Sequence, residues 1–201
     1  MSISKIFFSN AIMNLIAAPI RFSLNLYLAS TLLPSDYGIM VIPGIILMFS
    51  NILIDSGLKS SLIQKATLKN SHCSSIFFVN TIVSSILFFL LLVLSKPLEY
   101  YFELEGLALL ISLASFSLIV RSFAMVNEAR LQIKGKYGKL IFIELISYIV
   151  AYLVAIYMAK NNYGALSLVA MAIVSAFLYA LLLFLTDDFF PKWSVVSKKL
   201  I

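Results

Sequence analysis

The stretch that decides the fold is Ile6–Leu33, which reads IFFSNAIMNLIAAPIRFSLNLYLASTLL. It is almost wholly apolar and, as a helix rising 1.5 Å per residue, it is long enough to cross the roughly 30 Å hydrocarbon core of a bilayer. Its length, and the charge of Arg21 within it, favour a retained span over a cleavable signal peptide. The stretch therefore predicts a membrane protein whose first element is a transmembrane helix.

Five further apolar stretches follow along the chain, and none shows the sustained alternation that a membrane β-barrel needs. The chain is 62% hydrophobic and 12% charged, whereas a soluble domain carries roughly 25% charged residues. The sequence thus predicts an all-α polytopic membrane protein, a bundle of six transmembrane helices over residues 1–186, with 187–201 as a cytoplasmic tail or the start of a linker. The five later spans are expected at 37–54, 74–94, 107–126, 140–159 and 165–185.

Lysine and arginine are distributed unequally between the two sides of the predicted bundle. If the N-terminus is cytoplasmic, eleven of the 15 cations lie in inside segments and only Lys96 and Lys160 lie in outside loops. This bias follows the positive-inside rule and places both termini in the cytoplasm. Because the basic residues flank membrane spans, the expected partners of these loops are membrane lipids, and no nucleic acid is predicted as a partner.

A polar stripe runs along the first predicted helix. Asn10, Asn14, Arg21 and Asn25 differ by four, seven and four residues, so they share one narrow face at about 100° per residue. A cation within a membrane is costly and usually faces a bundle interior or a watery cavity. We interpret the stripe as one wall of a polar, positively charged path; the alternative is that Arg21 makes a structural ion pair or contacts backbone carbonyls.

A second cation, Arg121, lies within the fourth predicted span, on the same face as Ser117 and Glu128. Two interpretations are open for it. Arg121 either contributes to a polar cavity, or it extends towards the interface or pairs with Glu128 two turns on.

Four charged residues are expected near the cytoplasmic ends of the helices. They form either an ion-pair network that closes the bundle or a gate linked to protons or cations, since burial can raise the pKa of a carboxyl group into the neutral range. The four residues are Asp55, Glu128, Arg130 and Glu144.

Enzyme chemistry finds little support in the sequence. There is no glycine-rich phosphate loop, no metal-ligand spacing and no serine–histidine pair in a plausible context. His72 is the single histidine, and Cys73, the single cysteine, allows no disulfide within the chain. We therefore expect no catalytic residue, metal site or cofactor, and the protein is not expected to be an enzyme.

Three short motifs at helix boundaries resemble those of O-antigen flippases. These are the Wzx-type polysaccharide transporters of the multidrug/oligosaccharidyl-lipid/polysaccharide exporter superfamily. The motifs are LPSDYG at 33–38, DSGL at 55–58 followed by LIQ at 62–64, and LQ at 131–132 with KY at 136–137 and Glu144.

The resemblance implies a function, a location and a partner. Such flippases lie in the bacterial inner membrane and move an oligosaccharide, carried on undecaprenyl pyrophosphate, to the outer leaflet through a cationic cavity between two lobes. The chain is similar to the N-terminal lobe alone, which implies a second lobe or an identical subunit as partner. The residues expected to bind the lipid-linked oligosaccharide are Arg21, Asn14, Asn25, Arg121 and Asn10.

Two other functions stay open at this point. A drug or cation exporter of the same superfamily would place carboxylates in the middle of the membrane. A non-transporting membrane subunit or gene remnant is supported by the length of the chain, 201 residues.

Overall fold

A computed structural model describes the backbone of residues 3–55, 59, 62, 70–187 and 189–191, and the side chains of 15, 17–54, 59, 62, 71–187 and 189–191. Within this part of the chain there are six continuous helices and no strand, which confirms the all-α prediction. The helices are α1 (Ile3–Thr31), α2 (Pro34–Asp55), α3 (Asn70–Phe102), α4 (Leu107–Ile133), α5 (Tyr137–Lys160) and α6 (Leu166–Thr186).

The helices are those of a multi-pass membrane bundle. Each of α2–α6 is long and apolar enough to cross a bilayer, and α1, which carries the Arg21 stripe, is 29 residues long. α1 ends at Thr31, before the predicted Leu33, because a residue that precedes proline is disfavoured in the helical conformation. α3 continues to Phe102, beyond the predicted end of its span, because charged residues end an apolar run without ending a helix.

The helix at the centre of the bundle is α4. It packs against α2, α3 and α6, whereas α5 packs against α6 and α1. In its most apolar stretch 61% of the residues are buried, against 17% for α2. Fully buried small residues, Ala114, Ala124 and Ala129, allow its neighbours to approach closely.

A proline and a carboxylate form the turn between α1 and α2. Pro34 occupies the first turn of α2, where its missing N–H costs nothing. The Asp36 carboxylate accepts a hydrogen bond from the Leu33 N–H at 3.1 Å. An acidic side chain at this position also stabilises the positive end of the helix dipole.

The turn between α5 and α6 meets the same carboxylate. α5 ends at Lys160, and two residues later Asn162 has a φ of 64°. The Tyr163 N–H donates back to the Met158 carbonyl at 3.2 Å, as in a Schellman motif. Gly164 follows at a φ of 52° and lies against Asp36: a Cβ on it would be 2.7 Å from Oδ1. The two turns are therefore packed together at one end of the bundle.

Gly164→Ala is expected to lower the free energy of unfolding by about 2 kcal/mol, because alanine pays a left-handed backbone penalty and displaces Asp36. The measurement is thermal unfolding in detergent. The matched control is Gly44→Ala, where an added Cβ meets nothing within 4 Å inside α2, and where alanine is the better helix former. Equal losses in the two variants would contradict the Asp36 contact.

Candidate functional site

A polar cavity of about 310 Å³ lies between α2, α4, α5 and α6. The cavity lies inside a bundle of apolar helices. Burying polar groups there costs free energy unless they are hydrogen-bonded or paired with an opposite charge, so the polar lining indicates a function. The polar residues that line it are Asn51, Ser117, Arg121, Glu128, Glu144, Ser147, Tyr148, Ser175 and Tyr179.

Arg21 contacts two residues of the cavity wall from α1. Its Nη2 is 3.0 Å from Oε2 of Glu144, and its guanidinium carbon is 4.9 Å from the ring centroid of Tyr148, a cation–π distance. Because Glu144 and Tyr148 both line the cavity, Arg21 lies at the α1 edge of it. The ion pair that was an alternative interpretation of Arg21 is therefore present, and it lies beside a cavity.

The guanidinium of Arg21 keeps unused hydrogen-bond donors. Nε and Nη2 are shielded by protein, yet neither has a hydrogen-bond partner among the described residues. The ion pair with Glu144 is thus close in distance but not aligned as an N–H···O bond. An arginine has five N–H donors in a rigid fork, so those on Nε and Nη2 are unused, and an anion reaches them only when the side chains that shield them move.

Asn25 joins α1 to α5. Its Nδ2 donates to the Arg21 carbonyl at 2.9 Å, and its Oδ1 accepts a hydrogen bond from the Tyr152 hydroxyl. Tyr152 in turn stacks on Tyr148, with 6.0 Å between ring centroids. Asn25 therefore links α1 to α5 one helical turn from Arg21.

Three predicted site residues lie outside the described side chains. These are Asn10 and Asn14 of the polar stripe and Asp55 of the predicted network. Their assigned roles stay predictions.

Arg121 lines the cavity and is exposed to it. It forms no ion pair with any described residue. Glu128 is paired with Lys59 instead, at 2.7 Å, and also accepts a hydrogen bond from Gln132 at 3.3 Å. The structure therefore favours the cavity interpretation of Arg121 over a pair with Glu128.

Arg130 belongs to a separate, buried cluster. Its Nε is 2.5 Å from Oδ2 of Asp187, its guanidinium lies 4.8 Å from the Phe189 ring centroid, and Lys134 contacts the same carboxylate. The Asp187 side chain is only 2% exposed. The cluster fastens the segment that follows α6 onto α4.

The pKa of Asp187 reflects this cluster. Burial by itself would raise the pKa of the carboxyl group, but hydrogen bonds from Lys134 and Arg130 outweigh burial and hold the pKa below its ordinary value. Asp187 is thus ionised and structural. Of the four residues predicted as one network, Glu128 and Glu144 share the cavity, whereas Arg130 contacts Asp187.

Tyr152, Lys59 and Asp187 were not among the predicted site residues. A sequence pattern could have identified Tyr152. Glu144, Tyr148 and Tyr152 are spaced four residues apart, as Arg21 and Asn25 are, so the polar faces of these two helices have the same spacing and could have been paired. No sequence pattern points to Lys59. Asp187 falls in the segment that was assigned to the cytoplasmic tail or linker.

Comparison with known proteins gives the family. A family described as polysaccharide biosynthesis protein matches residues 27–200, most of the chain. The chain belongs to this family. An apolar helical bundle with a polar interior is consistent with the membrane setting of such proteins, and the polysaccharide-related part of the resemblance is confirmed.

One relative adds to this assignment. An uncharacterized membrane protein in the cps region of Klebsiella pneumoniae is 26% identical over 125 residues, which cover 62% of this chain and 26% of that protein. The chain thus matches about a quarter of the length of that relative. No solved structure matches the chain.

Proposed function

We propose that the protein takes part in polysaccharide export as a flippase component, a transporter and not an enzyme. Its cargo would be an oligosaccharide on undecaprenyl pyrophosphate, moved from the inner to the outer leaflet of the bacterial inner membrane, with both termini of the chain in the cytoplasm. The observation that carries the proposal is a polar cavity, about 310 Å³ in volume, with Arg21 at its edge and Arg121 in its wall. A guanidinium binds phosphate oxygens through two parallel N–H···O bonds.

The charge around the cavity supports an anionic cargo. Among the described side chains the cations are Arg21, Arg121 and Lys59, and the carboxylates are those of Glu128 and Glu144. Each carboxylate is paired with a cation, so the positive charge of Arg121 is not balanced by a described carboxylate. An anionic group such as a pyrophosphate therefore suits this site better than a cation does.

The serines of the cavity support the sugar part of the cargo. Ser117 and Ser175 each donate their hydroxyl proton to a carbonyl of their own helix, at 2.6 and 3.0 Å. Their oxygens therefore keep lone pairs that accept hydrogen bonds. Sugar hydroxyls are donors of this kind, so the wall presents acceptors for sugars next to cations for phosphate.

The proposal includes a partner, either a second lobe or an identical subunit. Alternating access requires two packed units that rock against each other around the binding site. This chain supplies α1–α6 to such an assembly, and four of these helices, α2, α4, α5 and α6, line the cavity.

A cation or drug exporter of the same superfamily is the second candidate. The observation that favours it is that the carboxylates of Glu128 and Glu144 line the cavity. Against it, these carboxylates face Lys59 and Arg21 at 2.7 and 3.0 Å, so a cationic drug would first have to displace a protein cation.

The function is tested in proteoliposomes that contain the purified protein and a fluorescent lipid-linked oligosaccharide. Flipping makes the label accessible to a membrane-impermeant quencher faster than in protein-free liposomes. A labelled lipophilic cation, assayed in the same way, tests the exporter alternative. If neither cargo moves while the protein stays folded, this chain by itself does not transport either of them.

A further inference from the structure

Among the side chains that the structure describes there are two arginine–carboxylate pairs of opposite character. Arg130 and Asp187 are 10% and 2% exposed, share a hydrogen bond at 2.5 Å, and have Lys134 as a second cation. Arg21 and Glu144 are 30% and 42% exposed, and no aligned hydrogen bond joins them at Nε or Nη2. The first pair is buried and hydrogen-bonded, as in a structural ion pair, whereas the second is partly exposed and its Glu144 member lines the cavity.

The Glu144 carboxylate is chemically similar to the phosphate group that Arg21 would bind. Carboxylate and phosphate oxygens use the same fork of N–H donors. An anion that entered the cavity would therefore compete with Glu144 for the Arg21 guanidinium. Tyr148, whose ring lies 4.9 Å from the guanidinium, contacts Arg21 independently of Glu144 and would hold it in place during an exchange.

We propose that Glu144 is a resident competitor of the phosphate group at Arg21, a proposal that rests on the function proposed above. Its carboxylate holds the guanidinium until a phosphate displaces it, and returns when the cargo leaves. Glu144 is thus a positioning residue that lowers affinity and assists release. The displaced carboxylate stays within a cavity whose wall also carries Arg121.

The test is the dissociation constant of radiolabelled inorganic pyrophosphate for the full chain in lipid nanodiscs. Glu144→Gln removes the charge and keeps the shape, so it is expected to bind pyrophosphate about fivefold more tightly, the fold-change that corresponds to a partly exposed ion pair. Glu144→Asp restores the competing charge and is expected to return affinity towards the wild type. A purely structural glutamate would give weaker binding, or none, on substitution.

Two comparisons separate competition from a general effect of cavity charge. Glu128→Gln removes the same charge from the same wall, but its partner is Lys59, so its gain is expected to be smaller than that of Glu144→Gln. Glu105→Gln makes the same chemical change near the α3–α4 turn, away from this cavity, and is expected to leave affinity unchanged. Equal gains at 128 and 144, or no gain at 144, overturn the proposal.

Arg21→Gln distinguishes this inference from the proposed function. If pyrophosphate binds Arg21→Gln as it binds the wild type, the proposed phosphate site itself is lost. If Arg21→Gln abolishes pyrophosphate binding and Glu144→Gln does not increase the affinity, the phosphate site at Arg21 is supported and the competitor role of Glu144 is refuted. In the double variant the gain from Glu144→Gln is expected to disappear. Absence of binding in both the wild type and Glu144→Gln also overturns the competitor.

Discussion

Arg21→Ala is expected to abolish flipping of the lipid-linked oligosaccharide and to weaken pyrophosphate binding about 100-fold. Hydrogen bonds to charged groups contribute about 1.5–3 kcal/mol, and 1.4 kcal/mol corresponds to tenfold in affinity, so the loss of a bidentate contact accounts for this factor. Flipping is measured as quencher accessibility in proteoliposomes, and binding with labelled pyrophosphate. Fold is checked by thermal unfolding.

The controls separate charge from geometry. Arg21→Lys keeps the charge but replaces the planar fork with a point charge, so its activity should fall between those of the wild type and Arg21→Ala. Arg121→Ala removes a cavity cation that has no paired carboxylate among the described residues, and it is expected to reduce binding without abolishing it. Full activity of Arg21→Ala would show that Arg21 is structural only.

Asp187→Asn is expected to lower the free energy of unfolding by about 3 kcal/mol, the usual cost of removing one partner of a buried ion pair. The change leaves Arg130, whose side chain is 10% exposed, and Lys134 without their shared carboxylate. Unfolding in detergent, followed by temperature or denaturant, provides the measurement. Glu144→Gln is the matched control: its pair is partly exposed, so its loss should stay below about 1 kcal/mol.

The effect of Asp187 should also depend on pH. Because its pKa in the folded state is lowered, its contribution to stability is complete above the ordinary aspartate pKa of about 3.9. The contribution is lost as the pH falls through the lowered value in the folded protein. The difference in stability between the wild type and Asp187→Asn should therefore shrink on acidification below pH 4 or so. A difference that stays constant across that range would contradict an ionised Asp187.

The candidate site was only partly predictable because the sequence does not show how each helix is oriented about its own axis relative to its neighbours. The spacing of Arg21 and Asn25 predicted a shared face, and the structure places both against α5. The partner of Arg21 did not follow from spacing, because a side chain meets another helix only where two helix faces are turned towards each other. The same reason separates Arg130 from Glu128 and Glu144, since its face of α4 meets the segment after α6.

The sequence by itself determined the class of the protein: apolar runs of membrane length make helices the stable way to satisfy the backbone in lipid, and those runs are local features of the chain. Turn chemistry at Pro34 and Asp36 was local as well. Only the tertiary structure decided which charges meet, Arg21 with Glu144 and Arg130 with Asp187. Pairing of charges across helices depends on how the helices pack and rotate, a property of the whole bundle that no single segment encodes.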